Sequence, residues 1–496
     1  MEVLKSSFLQ NSLIAMPARG DRLAIAFKKK SIIHWLFLKF WYNENMNFQK
    51  SLSRAKMWCY AMGQLGWAAL SGIVGSWLVY FYQPDDAALK EGMKIFVPQG
   101  RVFFGALTII GMITAAGRIF DAVTDPLVGN WSDNCRSRLG RRIPFLRAAA
   151  VPLGLATLLI FFPPVQRLSG MNSAWLFVFV ILYYFLITCY STPYTSLLAE
   201  LAHTQEEKLK ISTCISLTYI VGIALGYTAP IIWGAFASQG MERTSAIKAA
   251  FAILCAVATV CMLIPAFTIN EREYSQIESS ESTMLASLLK TFANKDFRIF
   301  VMQDAIYFLA LTMFQTGLPF FVTSLLRLPE QYASQMFIAL TATSLLFYPL
   351  INFLARKFGK KKVVLAAFAF FFVDFLFTGF CGKNIPIPNG AQAALIVALG
   401  AFPIAAFGIL PQAMVADIAQ HENASTGENR TGMFFAARTF AFKLGQSAAM
   451  IVFTSLATIS SANAFGYRIV AATASACCAL GALILSFFNE RKILGK

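Results

Sequence analysis

Charge is what this chain has little of. Only 14% of its 496 residues are Asp, Glu, Lys or Arg, against about 25% in a soluble globular protein. With 57% hydrophobic residues and a mean hydropathy of +0.60, that scarcity excludes an ordinary soluble domain. Histidine is rarer still. His34, His203 and His421 all fall outside the middle of any apolar run, which argues against a histidine proton relay. The nine cysteines show no CxxC spacing, and Cys255, Cys261, Cys477 and Cys478 lie inside apolar runs. Neither disulfides nor a zinc site is expected from that pattern. HExxH and GxSxG are both missing, so a membrane-embedded enzyme lacks its usual signatures.

What the chain has is apolar length. A stretch of roughly 18 apolar residues is long enough to cross a bilayer, and this sequence carries such runs at 58–82, 102–130, 145–165, 174–200, 211–236, 247–269, 297–325, 335–355, 363–381, 391–416, 433–460 and 466–488. These predict an all-α polytopic membrane protein with twelve transmembrane helices. The net charge of +17 is concentrated in two loops, one with Arg136, Arg138, Arg141 and Arg142, the other with Arg356, Lys357, Lys360, Lys361 and Lys362. Basic loops stay cytoplasmic, so the charge reads as a topology signal and not as a nucleic-acid surface. Both termini are then expected in the cytoplasm of a multi-pass cell-membrane protein, a bacterial inner membrane being the natural setting. The lipid bilayer and a small-molecule substrate are the expected partners, and one chain is expected to suffice.

Residues 1–56 show no signal-peptide pattern. The run SIIHWLFLKFWY at 31–42 is too short to span and follows three lysines. It suits an interfacial helix, or else a leader ahead of a true start at Met46. The polar stretch 270–296 separates six spans from six, giving halves at 57–269 and 297–488 with a tail at 489–496. The halves repeat. Gly140-Arg141-Arg142 is answered 219 positions on by Gly359-Lys360-Lys361, Pro193 by Pro411 after 218, and Ala199-Glu200-Leu201-Ala202 by Ala416-Asp417-Ile418-Ala419 after 217. Parallel six-span repeats are a transporter plan, with the substrate site between them near the midplane.

The second run breaks the apolar rule. Arg118, Asp121 and Asp125 stand at i, i+3 and i+7, on one helix face. Each charge costs about 2.5–3.5 kcal/mol at the centre of an inserted helix, so the stripe needs partners or a wet cavity. Two neighbouring carboxylates repel, and a proton or a cation between them relieves that. The other reading is a salt bridge from Arg118 to one aspartate. Thr124 adds a hydroxyl beside the pair. Lys443 and Arg438 are deep charges in the eleventh run, in the other half. A lysine reaching the aspartates would make the site sense how the halves pack. Asp304, with Gln303 and Tyr307 nearby, is expected to face the cavity. Asp374 lies among phenylalanines with no evident partner. At the basic end, Asp133, Arg138, Arg141, Arg142, Glu200 and Asp417 are expected to form latches that hold the inward side shut. A passive channel remains a third class, although paired acids and a lysine from opposite halves suit stoichiometric coupling better.

RIFDAVTDPLVGNWSDNCRSRLGRRIPF, TPYTSLLAEL and MVADIAQHENASTGENRTGMFFAARTFAFKLG resemble the signatures of the glycoside–pentoside–hexuronide:cation symporters of the major facilitator superfamily. The similarity covers most of 57–488 and implies the major facilitator fold. It implies cation-coupled transport of a sugar, glycoside or uronide, with Na⁺ or H⁺ (or Li⁺) as coupling ion and no cofactor. By position, Asp121, Asp125, Thr124 and Thr188 become cation ligands, and Lys443 and Arg118 coupling residues. Thr124 stands where the melibiose carriers of the family have asparagine. Their two galactoside-binding carboxylates are replaced here by Ala68 and Ser191. TCYSTPYTSL is also similar to the family's animal lysophospholipid carriers, so a lysolipid or other amphiphile is the alternative cargo. Trp67, Tyr190, Ser191, Tyr194, Asp304 and Tyr307 are the substrate-contact candidates.

Overall fold

A computed structural model describes residues 52–102, 105, 107–202, 204–274, 290–382, 385–426, 430–459 and 464–493. The 31–42 segment, Met46 and most of the 270–296 stretch lie outside the described residues. Among the described residues there are twelve long helices: α1 Arg54–Tyr82, α2 Ile109–Asp133, α3 Ile143–Ile160, α4 Gly170–Leu201, α5 Gln205–Tyr227, α6 Arg243–Thr268, α7 Lys295–Phe320, α8 Gln331–Phe358, α9 Lys360–Phe380, α10 Asn389–Thr426, α11 Thr431–Ala457 and α12 Phe465–Ser486. Eleven of these twelve elements are long and apolar enough to cross a membrane. The exception is α2, whose Arg118, Asp121 and Asp125 interrupt its apolar length. Lipid leaves no water for backbone groups, so helices that satisfy their own hydrogen bonds are the natural spanning form.

Several helix ends differ from the apolar runs, each for a local reason. Helix α2 starts at Ile109 and not at 102, because Gly100 and Gly105 adopt positive φ and Thr108 caps the helix by accepting from the Gly111 N–H. Helix α5 breaks at Thr228 and resumes over Ala229–Ser238. Pro230, which lacks an N–H and blocks the preceding turn, accounts for the break. Helix α7 runs past Pro319 into a wide turn at Phe321–Leu325. Helix α10 continues ten residues beyond the apolar run to Thr426, because its polar last turns contain no breaker.

The first six helices pack mainly among themselves, and so do the last six. In the first group α1 packs on α5 and α6, α2 on α4, and α3 on α4 and α6. In the second, α7 packs on α11 and α12, α8 on α10, and α9 on α10 and α12. Between the groups, α2 runs antiparallel against α11, and α1 meets α7. Small residues allow the closest crossings. A Cβ on Gly226 of α5 would lie 2.8 Å from the Ala69 carbonyl oxygen of α1, and one on Gly445 of α11 would run into the Ala305 carbonyl of α7.

The repeat extends to two capping acids. Glu271 accepts from the backbone N–H groups of Arg141 (2.6 Å), Arg142 (2.8 Å) and Ile143 (3.0 Å) at the start of α3. Glu490 accepts from those of Lys360 (2.7 Å) and Lys361 (3.1 Å) at the start of α9. Glu271 and Glu490 are again 219 positions apart. Each seats its carboxylate where a helix leaves N–H groups free and the dipole favours negative charge. Gly140 and Gly359 make room for them, with φ of +108° and +92°, and a Cβ on Gly140 would run into the Glu271 carboxylate.

Glu271→Ala is expected to lower the thermal unfolding midpoint of the purified protein, since three helix-start N–H groups, two of them buried, lose an ionic acceptor, at about 1–3 kcal/mol. Glu273→Ala, which removes a surface pair with Lys56 and an exposed hydrogen bond from the Asn270 side chain, should leave it nearly unchanged. Equal midpoints in differential scanning fluorimetry would remove the capping role.

Candidate cation and substrate site

The charged stripe of α2 is met from two sides. Helix α4 runs parallel to α2, so residues four apart on one helix match residues four apart on the other. Thr188 donates to Asp121 Oδ1 at 2.6 Å, and Thr192, one turn on, reaches Asp125 Oδ1 at 3.4 Å. From the other group, Lys443 of α11 brings Nζ to 2.8 Å from Asp121 Oδ2 and 2.5 Å from Asp125 Oδ2. One ammonium therefore bridges both acids. Asp121 is buried, while the side chains of Asp125 and Lys443 keep 25% and 13% of their exposure. Two carboxylates and one ammonium leave a formal charge of minus one, in a nest that also holds two hydroxyl oxygens.

Arg118 does not pair with either aspartate. Its Nη1 donates to Gln446 Oε1 at 3.1 Å, its guanidinium lies 5.2 Å from the centre of the Tyr184 ring, and its Nε has no protein partner. The reading of a salt bridge from Arg118 to one acid is thus corrected: Lys443 supplies the base. Thr124 hydrogen-bonds back to the Asp121 carbonyl oxygen at 3.2 Å, so its hydroxyl serves the helix. Thr192, which the sequence reading missed, stands beside Asp125 instead. The signal for it was the matching four-residue spacing, Asp121 with Asp125 and Thr188 with Thr192.

The substrate-contact candidates divide. Trp67 is half-buried, has no protein partner for its indole N–H, and lies 6.1 Å ring to ring from Tyr219. Ser191 is half-buried, one turn from Thr195. Tyr190 and Tyr194 are packed away. Tyr190 donates to the Met262 carbonyl at 2.9 Å, and Tyr194 to the Tyr60 carbonyl at 2.8 Å while stacking on the Tyr60 ring at 4.5 Å. Both join α4 to its neighbours. Asp304 and Tyr307 are corrected in the same way. Asp304 is fully buried and takes two hydrogen bonds from Arg438, at 2.8 and 3.2 Å. Tyr307 stacks on Phe407 at 3.7 Å. Asp374 is also fully buried, beside Gly400, with no hydrogen-bond partner for either oxygen.

At the basic end the expected pairs form, but each stays inside one helix group. Glu200 takes Arg141 at 3.2 Å and Arg142 at 3.1 Å, and Arg142 also pairs with Asp133. Asp417 takes Lys360 at 2.5 Å. Arg138 is exposed. These contacts brace the end of each group and do not join one group to the other, so the pairs are the expected ones but, as placed, they do not hold the inward side shut.

Residues 59–487 match the family described as MFS/sugar transport protein. The chain belongs to that family. It is a multi-pass membrane transporter and not an enzyme. Among curated relatives, an uncharacterized symporter of Synechocystis sp. is 22% identical, over 78% of this chain and 82% of the relative. The sodium-dependent lysophosphatidylcholine symporter 1 of Xenopus tropicalis is 22% identical over 68% of this chain and 69% of its own. The isoprimeverose transporter of Lactiplantibacillus pentosus is 22% identical over 69% and 71%. Among solved structures, the nucleoside transporter NupG superimposes with a TM-score of 0.63 at 14% identity, covering 88% of this chain and 99% of that one. That likeness shows the shared fold.

Because the Asp304–Arg438 pair is internal to one group, its loss should act on stability. Asp304→Asn strands a buried guanidinium, at a cost of roughly 3–5 kcal/mol. Asp304→Leu combined with Arg438→Met should recover much of that cost. Thermal midpoints of Asp304→Leu alone, Arg438→Met alone and the double variant check this. A double variant no more stable than the sum of the singles would show that the two side chains are not coupled.

Proposed function

We propose that the chain is a cation-coupled symporter working by alternating access, with Asp121, Asp125, Thr188 and Thr192 as the cation site. The observation that carries this reading is the Lys443 bridge. Hard monovalent cations prefer oxygen ligands, and the nest supplies carboxylate and hydroxyl oxygens around a residual negative charge. Na⁺, Li⁺ or a proton entering from the cavity replaces Lys443 as the charge between the two acids. The ammonium is thus a resident competitor for the site. Because Lys443 comes from the second group, the exchange trades a tie between the groups for a tie within the first. A site filled by the ion therefore prefers a different packing of α2 against α11.

The solute binds beside this nest, where Trp67 offers an unpartnered N–H and Arg118 and Gln446 reach across between the groups. A sugar, glycoside or uronide is the cargo favoured by the family. A lysolipid or other amphiphile is the second reading, favoured by the replacement of paired sugar-binding acids with Ala68 and Ser191. The ties between groups lie from the nest outward to the end opposite the basic loops, while α4 and α10 pack closely only within their own groups. That pattern supports a carrier open toward the basic end. Under the positive-inside rule this end is the cytoplasm, where both termini also lie, and the protein works in a cell membrane as a single chain.

Asp121→Asn and Asp125→Asn are each expected to abolish concentrative uptake in proteoliposomes with imposed Na⁺, Li⁺ or H⁺ gradients, assayed with xylose, melibiose, a methyl glucuronide and lysophosphatidylcholine. Cation-driven accumulation unchanged in both variants would overturn the site. Lys443→Ala should bind the coupling ion at least tenfold more tightly, on the order of 1.4 kcal/mol, because its competitor is gone, and still fail to accumulate solute. Thermal-shift titration with each ion reads the affinity directly; weaker binding in Lys443→Ala would end the competitor role.

A further inference from the structure

The end opposite the basic loops is closed by charge carried from one helix group into the other. Glu330, just before α8, is buried at 4% exposure. Its carboxylate leaves its own group and enters the first. Tyr80 of α1 donates to Oε2 at 2.9 Å, Arg243 at the start of α6 to Oε2 at 2.5 Å, and Trp233, in the continuation of α5, donates its indole N–H to Oε1. Three helices of one group thus converge on a single side chain of the other. Arg243 is shared with the more exposed Glu91 at 2.8 Å. The traffic also runs the other way. Asp85, in the turn after α1, accepts from Thr323 at 2.6 Å and from Ser324 in the wide turn that ends α7. Nearby, Tyr227 stacks on Phe337 at 3.6 Å, and Thr108 of α2 bonds Thr454 of α11 at 2.8 Å.

An anchor buried for stability alone would gain from apolar replacement, because desolvating two charges offsets most of their attraction. That same balance makes the pair suitable for a reversible contact. Docked, Glu330 and Arg243 lose water and gain each other with two further donors. Undocked, both regain water. The free-energy gap between the states is small although each contact is strong.

We propose that Glu330 is the bolt of the gate at this end: docked on Tyr80, Trp233 and Arg243 it holds the two groups together there, and the carrier opens on this side only when it withdraws. Asp85 on Thr323 and Ser324 is the reciprocal contact. Glu330 acts on transport by positioning the groups, and it touches neither ion nor solute.

The test is hydrogen–deuterium exchange of the full-length purified protein, with no solute or coupling ion added, so that its outcome is independent of the cation-site assignment. In Glu330→Ala, exchange should rise in residues 229–243 and 326–337, at the outer ends of α5, α6 and α8, and fall in residues 131–142 and 411–426 at the basic end. The paired, opposite changes are the signature of a shifted equilibrium. Faster exchange at the outer end with the basic end unchanged would mean a merely local packing role and would overturn the proposal, as would no change at either end. Should Glu330→Ala not survive purification, Arg243→Gln removes the charged donor and leaves Tyr80 and Trp233 in place. It must give the same opposed pattern, weaker in size, or the proposal fails.

Discussion

One ammonium between two carboxylates, at the contact of α2 with α11, is the interaction on which the working structure turns. It exists because lipid penalises every unpaired charge, and it satisfies the penalty for three charges at once. It also joins elements that are 318 residues apart in sequence. Around it the antiparallel pair continues outward through Arg118 with Gln446 at 3.1 Å, Ser447 with the Ala115 carbonyl at 3.1 Å, and Thr108 with Thr454 at 2.8 Å. The contact is a polar seam, and the two six-helix groups are hung on either side of it.

The repeat explains why each group is firm enough to move as a body. Glu271 and Glu490 hold equivalent helix starts, and Arg141–Glu200 and Lys360–Asp417 tie equivalent helix ends. A capping carboxylate needs a close approach to the backbone, which is why glycine with positive φ stands at both 140 and 359. These contacts are short-range, lie within a group, and are the same in kind twice over. Nothing about them needs to change when the groups rock against each other.

Much of this was legible before any coordinates. Apolar length gave the helices, and the recurring offset near 219 gave the plan of two groups. The spacing Arg118, Asp121, Asp125 revealed a charged face, because helical periodicity is a local property of sequence. The register between helices is not local, and there the reading failed. Nothing in the order of residues says that Arg438 meets Asp304 while Lys443, five residues on, meets Asp121 and Asp125. Tyr190 and Tyr194 look like cargo-stacking rings in sequence, yet their hydroxyls find backbone carbonyls in α6 and α1. Glu271 lies in the long polar stretch 270–296 and Glu330 in the short link between α7 and α8, and both read as solvated charges. Their burial is set by what folds over them.

Exposure separates working charges from fixed ones. Asp304 and Arg438 keep 0% and 6% of their side-chain exposure and use both carboxylate oxygens on one guanidinium. No ion can enter without breaking the pair outright, so it behaves as structure. Asp125 and Lys443 keep 25% and 13%, and one aspartate oxygen there has only a long 3.4 Å contact to Thr192. On the proposed reading, an incoming cation approaches that oxygen while the ammonium still holds the other, and exchange would then leave no bare buried charge at any stage. Glu330 and Arg243 reach the same condition by another route, since Glu91, 55% exposed, gives Arg243 a second partner at the solvent edge. In both places the charge that must let go has an alternative partner within reach. Arg142 is shared in the same way inside one group, between Glu200 and Asp133; what sets these two places apart is that the shared charge also crosses from one group to the other.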